Sequence, residues 1–136
     1  MIFLDTSAIY ALADRTDPNN QLAKERLQAL LDAGETIVTH NYVLIESMAL
    51  IQHRLGLAAA LKLAQDSDAF EIEWVDKTLH DQAVGRLARS RKRQVSFVDQ
   101  VSFLVMRLRG IETALAFDRD FLDEGFQLYE GEGKQQ

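Results

Sequence analysis

Four acidic residues lie where apolar neighbours predict burial, namely Asp5, Glu46, Asp99 and Asp118. Asp5 directly follows the apolar residues 1–4, and Asp118 follows the apolar run 113–117. If these runs are neighbouring parallel strands, the Cα atoms of the two acids would lie about 5 Å apart at one edge of the sheet. Two like charges at that distance need a positive charge between them.

The other two acids fall on predicted helices. Residues three and four positions from Glu46 are apolar or aromatic, which places Glu46 on the helix face expected to pack against the sheet. A buried carboxylate is costly unless a cation or hydrogen bonds satisfy it. Asp99 has similar neighbours and lies in the first turn of its helix.

Each acid also has an ordinary structural explanation. Glu46 could pair with an arginine or reach water at the helix edge. Asp99 could simply complement the positive end of its helix dipole. Asp5 and Asp118 could be helix caps or turn residues. The four together favour a functional cluster more than any one of them does.

An oxygen-rich cluster of this kind predicts a hard divalent cation, Mg²⁺ or Mn²⁺. Such a cation activates water, contacts a phosphate and stabilises the leaving oxygen, which is the chemistry of phosphodiester hydrolysis. Asp120 lies close to Asp118 in the sequence, but its direction beyond the strand is not predictable. We therefore place it second, as a supporting residue.

Strands that alternate with helices must position these acids. The predicted fold is α/β, a three-layer α/β/α sandwich around a mostly parallel sheet of four to five strands. The predicted strands are 1–5, 36–39, 70–75 (at a sheet edge), 113–117 and 126–129. The predicted helices are 6–14, 21–32, 41–55, 57–66, 77–92 and 96–109. Residues 1–130 are expected to form a single domain and 131–136 a frayed tail.

Composition limits the possible functions. The chain has 136 residues, which suits one domain, and no cysteine, which excludes thiolate catalysis and Cys-ligated zinc. We find no pattern of a secretory signal or a membrane span, so we expect a cytoplasmic protein. The net charge of −6 argues mildly against a nucleic-acid partner. A local basic cluster at 86–93 opposes that average, with five of the 15 basic residues.

Other chemistry-bearing residues give weaker signals. His40, His53 and His80 lack metal-ligand spacing and are interpreted as surface or edge residues. Ser7 has no nucleophile-elbow context. Trp74 and the phenylalanines are interpreted as core residues rather than as platforms for stacking bases.

Four short segments resemble, in order and spacing, the acidic motifs of PIN-domain nucleases. They are Ile2-Phe3-Leu4-Asp5-Thr6-Ser7, Val43-Leu44-Ile45-Glu46, Ser96-Phe97-Val98-Asp99 and Ala116-Phe117-Asp118-Arg119-Asp120-Phe121. The resemblance covers essentially the whole chain. The compact single-domain form is most similar to the VapC-type toxins of toxin–antitoxin pairs.

The resemblance implies a metal-dependent endoribonuclease on a PIN-like fold. Asp5, Glu46, Asp99 and Asp118 would hold Mg²⁺ or Mn²⁺, with Thr6 or Ser7 as a supporting hydroxyl. It also implies a homodimer and a small antitoxin that inserts an arginine among the acids. One departure is Ala116, where many members have Thr or Ser, and this puts a supporting hydrogen bond in question.

With an RNA substrate, the basic cluster becomes the candidate contact to the RNA backbone. Its residues are Arg86, Arg89, Arg91, Lys92 and Arg93, which could equally be a solvated helix end. Three alternatives remain: a housekeeping RNA-processing nuclease, a non-catalytic binding module, and a phosphotransfer site with Asp5 as nucleophile. The last is disfavoured because Ser7 stands where aspartate-based phosphatases have a second acid.

Overall fold

A five-stranded parallel sheet forms the centre of the computed structural model, which describes residues 1–92 and 94–131. In chain order its strands are β1 (Ile2–Leu4), β2 (Ile37–His40), β3 (Glu71–Glu73), β4 (Thr113–Leu115) and β5 (Gln127–Leu128). They lie in the order β3-β2-β1-β4-β5, and every neighbouring pair is parallel. β1 is therefore the central strand, and β3 lies at an edge as predicted.

Helices cover both faces of the sheet. They are α1 (Thr6–Ala13), α2 (Asn20–Asp32), α3 (Asn41–Leu55), α4 (Leu57–Asp66), α5 (Lys77–Arg89), α6 (Phe97–Arg109) and α7 (Asp120–Asp123). Right-handed crossovers place α1–α4 on one face and α5–α7 on the other. The packing agrees, because α1 contacts α2 and α3, α3 contacts α4, and α5 contacts α6. This confirms the predicted three-layer α/β/α architecture.

β1 is apolar along its whole length because both of its faces are covered. Phe3 and Leu4 are fully buried, and Ile2 is nearly so. Parallel strands with helices on both faces have continuous apolar runs rather than alternating ones. Phe3 packs against Phe121 of α7, with ring centroids 6.1 Å apart.

Several element boundaries and one short helix differ from the prediction. α5 ends at Arg89 rather than near Lys92, because the backbone becomes extended at Ser90. A longer helix would bring more positively charged side chains next to one another on its surface, where they repel each other. β4 ends at Leu115 rather than Phe117, where the chain leaves the ladder. The short α7 was not predicted, since four residues are too few for a periodic pattern.

His40 is fully buried, so its interpretation as a surface or edge residue is wrong. Its Nδ1 atom accepts the Val43 N–H at the start of α3 (3.3 Å), and its Nε2 lies 2.8 Å from Ser102 Oγ of α6. Ser102 Oγ donates to the Val98 carbonyl, so Nε2 must be the ring nitrogen that carries the proton. Burial lowers the pKa of His40 to about 3, so the imidazole is neutral. His40 thus joins β2, α3 and α6.

The single tryptophan, Trp74, is also misplaced by the sequence interpretation. It directly follows β3 and is 70% exposed rather than in the core. An edge strand has a neighbour on one side only, so the apolar alternation of residues 70–75 does not require burial of every apolar position. The phenylalanine interpretation holds for the buried Phe3, Phe103, Phe121 and Phe126.

Two expectations concern residues at the limits of the described chain. The predicted tail, 131–136, lies outside the described residues except for Gly131, and Arg93 of the basic cluster also lies outside them. Within the described ranges, no helix combines the length and the apolar character needed to cross a membrane.

We expect His40→Ala to lower the free energy of unfolding by roughly 2–4 kcal/mol, because it leaves a cavity and removes the partner of Ser102. Urea denaturation measures this change. The matched control is His53→Ala on the exposed side of α3, with an expected effect within about 0.5 kcal/mol. Equal unfolding midpoints for the two variants would contradict the role of His40.

Candidate active site

Asp5 is the first residue after β1 and the N-cap of α1. One oxygen of its carboxylate, Oδ2, accepts the Ser7 N–H at 3.1 Å and the Ser7 hydroxyl at 2.7 Å. The side chain is 97% buried, with an exposed fraction of only 3%. A further contact from the Thr6 backbone N–H favours the ionised carboxylate.

Ser7 connects Asp5 to the end of the neighbouring strand. Its Oγ donates to Asp5 and accepts the Phe117 N–H at 2.9 Å. The β1–β4 register places Ala116, rather than Asp118, opposite Asp5, so the predicted direct pairing of the two acids is wrong. The physical reason is the register, because Leu4 pairs with Leu115 and Asp118 therefore lies two positions beyond the residue opposite Asp5. Ala116 has no hydroxyl group, and the hydroxyl contact at the end of β4 comes from Ser7 instead.

Asp99 is held in the first turn of α6 by a capping box. Its backbone N–H donates to Ser96 Oγ at 3.1 Å, and its Oδ2 accepts the Ser96 N–H at 3.2 Å. The side chain is only 8% exposed. The Ser96-x-x-Asp99 spacing before an apolar run is a recognisable helix-start signature, so Ser96 could have been found from the sequence.

Asp118 and Asp120 complete the cluster with Asp99. One carboxylate oxygen from each of the three lies within 4.8 Å of the others. Asp118 Oδ1 accepts the Asp120 N–H at 2.8 Å, which orients the turn that begins α7. Asp120, which we placed second from the sequence, therefore belongs to this group of three, whereas Asp5 does not. We call Asp5, Asp99, Asp118 and Asp120 the acidic cluster.

Burial and mutual repulsion disfavour the ionised forms of Asp5, Asp99 and Asp120. Burial, and to a lesser extent the charge of Asp118, raise the pKa of Asp5 to about 6, although the Ser7 hydrogen bonds oppose the shift. Burial, followed by the charge of Asp5, raises the pKa of Asp99 to about 7. The pKa of Asp120 is also raised, by burial and by Asp118. The free protein therefore carries less negative charge here than four aspartates would suggest.

The donor set fits a divalent cation. All of the converging side-chain atoms are carboxylate oxygens, which hard cations such as Mg²⁺ and Mn²⁺ prefer. No Lys, Arg or His within the described ranges forms an ion pair with any member of the acidic cluster. A bound cation would therefore supply the positive charge that the protein itself does not.

Glu46 is exposed, so its predicted burial is wrong. The buried residues of α3 are Val43, Ser47 and Ile51. One position from Ser47 corresponds to about 100° of helical rotation, which turns Glu46 to the flank of the buried face. Its apolar neighbours include the exposed Ile45 and Ala49, so the sequence pattern overstated the width of that face. A metal-binding role for Glu46 stays a prediction.

Thr6, the other candidate supporting hydroxyl, is placed differently from Ser7. Its Oγ1 is buried and has no hydrogen-bond partner among the described residues. The backbone around it is fixed as the first residue of α1. The Thr6 side chain therefore contributes no hydrogen bond to the acids, and Ser7 provides the hydroxyl that orients Asp5.

A cleft of about 440 Å³ brings the basic cluster next to the acids. Its lining includes Arg89, Arg91 and Lys92 together with Asp120. Arg89 and Arg91 are exposed and form no ion pair within the described ranges, whereas Lys92 lies 3.8 Å from Asp123. The structure therefore places part of the predicted basic cluster beside Asp120, and its contact with RNA stays a prediction.

Arg86 is engaged within the protein. Its guanidinium donates to Gln100 Oε1 at 2.9 Å and to Glu124 Oε1 at 2.6 Å, and it lies over the Phe103 ring. These contacts tie α5 to α6 and to the end of α7. We therefore assign Arg86 a structural contact, and the predicted contact with RNA is better supported by its exposed neighbours.

Known proteins are similar to this chain in sequence and in fold. The sequence model described as "PIN domain" matches residues 2–126. The chain is 41% identical over 128 residues to the 23S rRNA-specific endonuclease VapC20 of Mycobacterium tuberculosis, a match that covers 93% of this chain and 95% of the relative.

Two solved structures resemble the structure of this chain. The crystal structure of M. tuberculosis VapC20, described as a sarcin-ricin loop cleaving toxin, matches with a TM-score of 0.82 at 38% identity, over 93% of this chain and 96% of that one. PAE2754 from Pyrobaculum aerophilum matches with a TM-score of 0.64 at 21% identity, over 95% and 89%, which supports the fold alone.

Asp99→Asn should stabilise the metal-free protein at high pH. The folded-state pKa of Asp99 is raised above 3.8, so the folded protein binds this proton more tightly, and wild-type stability falls as the pH rises from about 4 to about 7. We expect the variant to equal the wild type near pH 4 and to exceed it by roughly 2–4 kcal/mol at pH 8.

Denaturant unfolding in EDTA across this pH range measures the difference. Asp68→Asn, at an exposed acid, is the control and should show no such dependence. A difference between the Asp99 variant and the wild type that does not change with pH would show that the Asp99 carboxylate is not destabilised by its surroundings.

Proposed function

Because the chain belongs to the PIN-domain family of nucleases, we propose that it cuts an unpaired loop of 23S ribosomal RNA with a divalent cation bound at the acidic cluster. Family membership makes the protein a nuclease of the VapC type, a hydrolase that acts on RNA. The observation that carries the proposal is the convergence of Asp99, Asp118 and Asp120, which any phosphodiester hydrolysis of this kind needs.

The proposed RNA comes from the relatives. The similar M. tuberculosis protein is named for 23S rRNA, and its crystal structure for the sarcin-ricin loop. The match extends along nearly the whole of both chains, so the surfaces around the acids have counterparts in the relative. A loop is also a physically suitable target, because its unstacked bases and backbone are accessible to a protein as those of a duplex are not.

In the proposed mechanism the protein's own residues hold and orient the carboxylates that would bind the cation. Asp5 is fixed by Ser7, Asp99 by its capping box and Asp118 by the Asp120 N–H, so the carboxylates are preorganised. When bound, Mg²⁺ or Mn²⁺ would lower the pKa of a water and stabilise charge on the leaving oxygen. In the hydrolysis, the water oxygen would bond to phosphorus, the bond from phosphorus to the leaving oxygen would break, and the leaving oxygen would take up a proton from the water.

Arg89, Arg91 and Lys92 would bind phosphates of the RNA along the cleft. They lie beside Asp120, and guanidinium and ammonium groups are the usual partners of phosphate. Contacts of this kind set the register of the RNA without reading its sequence. Arg93, outside the described residues, belongs to the same predicted cluster.

The proposal includes the biological setting of a toxin. We infer a cytoplasmic homodimer that a small antitoxin inhibits by covering the acids. A short reading frame that overlaps the start of this gene would identify the antitoxin. A housekeeping RNA-processing role is the second candidate, and the absence of such a reading frame would favour it.

Asp118→Asn should lower the rate of RNA cleavage by more than about 100-fold, because it removes a charged ligand of the cation. EDTA should do the same to the wild type, and added Mg²⁺ or Mn²⁺ should restore activity. The assay is cleavage of a hairpin RNA that carries the sarcin-ricin loop sequence, with circular dichroism to confirm the fold.

Glu112→Gln is the control for this substitution. Glu112 is an exposed acid just before β4, at the opposite edge of the sheet, and its loss should leave cleavage unchanged. Cleavage that persists in EDTA, or in the Asp118 variant, would contradict the assignment of the site. Expression in growing bacteria separates the two biological roles, since a toxin arrests growth only when Asp118 is intact.

Reversal of charge in the cleft should weaken RNA binding. For Arg89→Glu combined with Arg91→Glu, the loss of two phosphate contacts makes the slope of log affinity against log salt shallower by about 1.4, at about 0.7 per contact to a single strand. Filter binding in EDTA, where no cleavage occurs, measures this slope at several salt concentrations.

The control pair is Lys24→Glu with Lys62→Glu, on the exposed sides of α2 and α4, which changes the net charge by the same amount. An equal effect from both pairs would mean that only overall charge matters. No effect from the first pair would identify the basic cluster as a solvated helix end.

A further inference from the structure

Trp74 is exposed at the carboxyl ends of the strands, the end of the sheet that carries the acidic cluster. It is the only tryptophan of the chain, and 70% of its surface is exposed. It directly follows β3, and all five strands of the described sheet are parallel, so β3 ends at the same edge as β1. A large aromatic side chain gains much free energy from burial, so an indole left in solvent points to a ligand.

The backbone around Trp74 is anchored on its C-terminal side. The Val75 N–H donates to Asn41 Oδ1 at the start of α3, at 2.7 Å. Asp76 caps α5 by accepting the Leu79 N–H at 2.8 Å. A side chain presented from a fixed backbone loses less conformational entropy on binding than one on a loose loop.

Three aromatic rings connect the start of α6 with the start of α3. Phe97, two residues before Asp99, lies 6.0 Å from Tyr42 and 5.1 Å from His80 between ring centroids. The Tyr42 hydroxyl is 2.6 Å from His80 Nδ1, and Tyr42 follows Asn41, the residue that anchors Val75 beside Trp74. Phe97, Tyr42 and His80 are each half-buried, so part of this group of rings is exposed.

The strand register gives the distance along this edge. Phe3 pairs with Val38, so two positions further along Asp5 falls opposite His40, and His40 pairs with Glu73. Two steps between neighbouring strands, at about 4.8 Å each, place the backbone before Trp74 about 10 Å from that of Asp5. A short stretch of unpaired nucleotides spans that distance.

One cation offsets part of the negative charge of the acids on β3 next to Trp74. Arg109 at the end of α6 donates from Nε to Glu73 Oε1 at 2.8 Å and from its terminal nitrogen Nη1 to Glu71. The two carboxylates therefore repel an approaching RNA backbone less than free ones would.

We propose that Trp74 stacks on an unpaired base of the RNA, next to the phosphate that is cut. This inference rests on the proposed function and deepens it, because it assigns a residue that favours a loop over a duplex. Bases in a duplex are already stacked on each other, whereas a base in a loop is free to stack on an indole.

The fluorescence of Trp74 reports on this contact directly, since no other tryptophan contributes. The experiment titrates the whole protein in EDTA with the sarcin-ricin hairpin and, separately, with a fully paired RNA duplex of equal length. We expect the hairpin to quench the emission and protect it from acrylamide, and the duplex to do neither.

Substitution tests the contribution to cleavage. We expect Trp74→Ala to lower kcat/KM for the hairpin by roughly 10- to 100-fold, mainly through KM, and Trp74→Phe to recover most of the loss. Leu108→Ala is the matched control, because Leu108 is an equally exposed apolar residue (70%) near the far end of α6. It should leave kcat/KM unchanged.

The outcomes separate this inference from the proposed function. No quenching by the hairpin, or equal kcat/KM for wild type and Trp74→Ala, overturns the stacking role even if the wild type cuts RNA. Quenching without any cleavage in Mg²⁺ or Mn²⁺ supports stacking and overturns the proposed function. Emission that is protected without RNA and depends on protein concentration overturns stacking in favour of a protein interface.

Discussion

The repulsion between carboxylates at one edge of the sheet is the constraint on which the rest of the structure depends. Asp5 and Asp99 are buried, and Asp118 and Asp120 lie beside them with no cation of the described protein in an ion pair with any of the four. The fold tolerates this because hydrophobic burial elsewhere, as around Phe3 and Leu4, stabilises the sheet that carries the acids. Stability is given up at the site so that a ligand can restore it.

Helix N-termini reduce part of that repulsion. Asp5 caps α1, and Asp99 accepts an N–H at the start of α6, so both acids lie at the positive end of a helix dipole. In a parallel α/β sheet the carboxyl ends of the strands and the N-termini of the following helices meet at one edge. This arrangement suits the acids and also an RNA phosphate held there by a cation.

A structural feature can be predicted from the sequence when residues near to it in the chain determine it. It cannot when residues far away in the chain do. The strands, the long helices and the positions of Asp5 and Asp99 follow from local patterns of apolar residues and caps, and they were predicted correctly. The surroundings of Asp118 do not follow from local patterns, because the Ser7–Phe117 hydrogen bond joins residues far apart in the chain. Glu46 was misplaced because helical neighbours tell only which residues share a face, while tertiary packing decides how wide the buried part is.

Trp74 and His40 show the same limit in opposite directions. An apolar indole was expected inside and lies outside, and a polar imidazole was expected outside and lies inside. His40 is buried without large cost because Val43 and Ser102 satisfy both of its ring nitrogens. Trp74 lacks such a constraint, since its edge strand has no further neighbour to cover it. Satisfaction of hydrogen bonds and completeness of the sheet, rather than residue type, decide burial at these two positions.

The distribution of charge explains how a chain with a net charge of −6 can act on a polyanion. Several acids away from the site are paired with cations, as Glu71 and Glu73 are with Arg109 and Glu124 is with Arg86 and Arg107. The four acids of the acidic cluster form no ion pair within the described ranges, and a bound divalent cation would reverse the local field there. Arg89 and Arg91, which form no ion pair among the described residues, lie along the adjoining cleft. Beyond a Debye length of about 8 Å the remaining surface charge is screened, so the local arrangement outweighs the net charge.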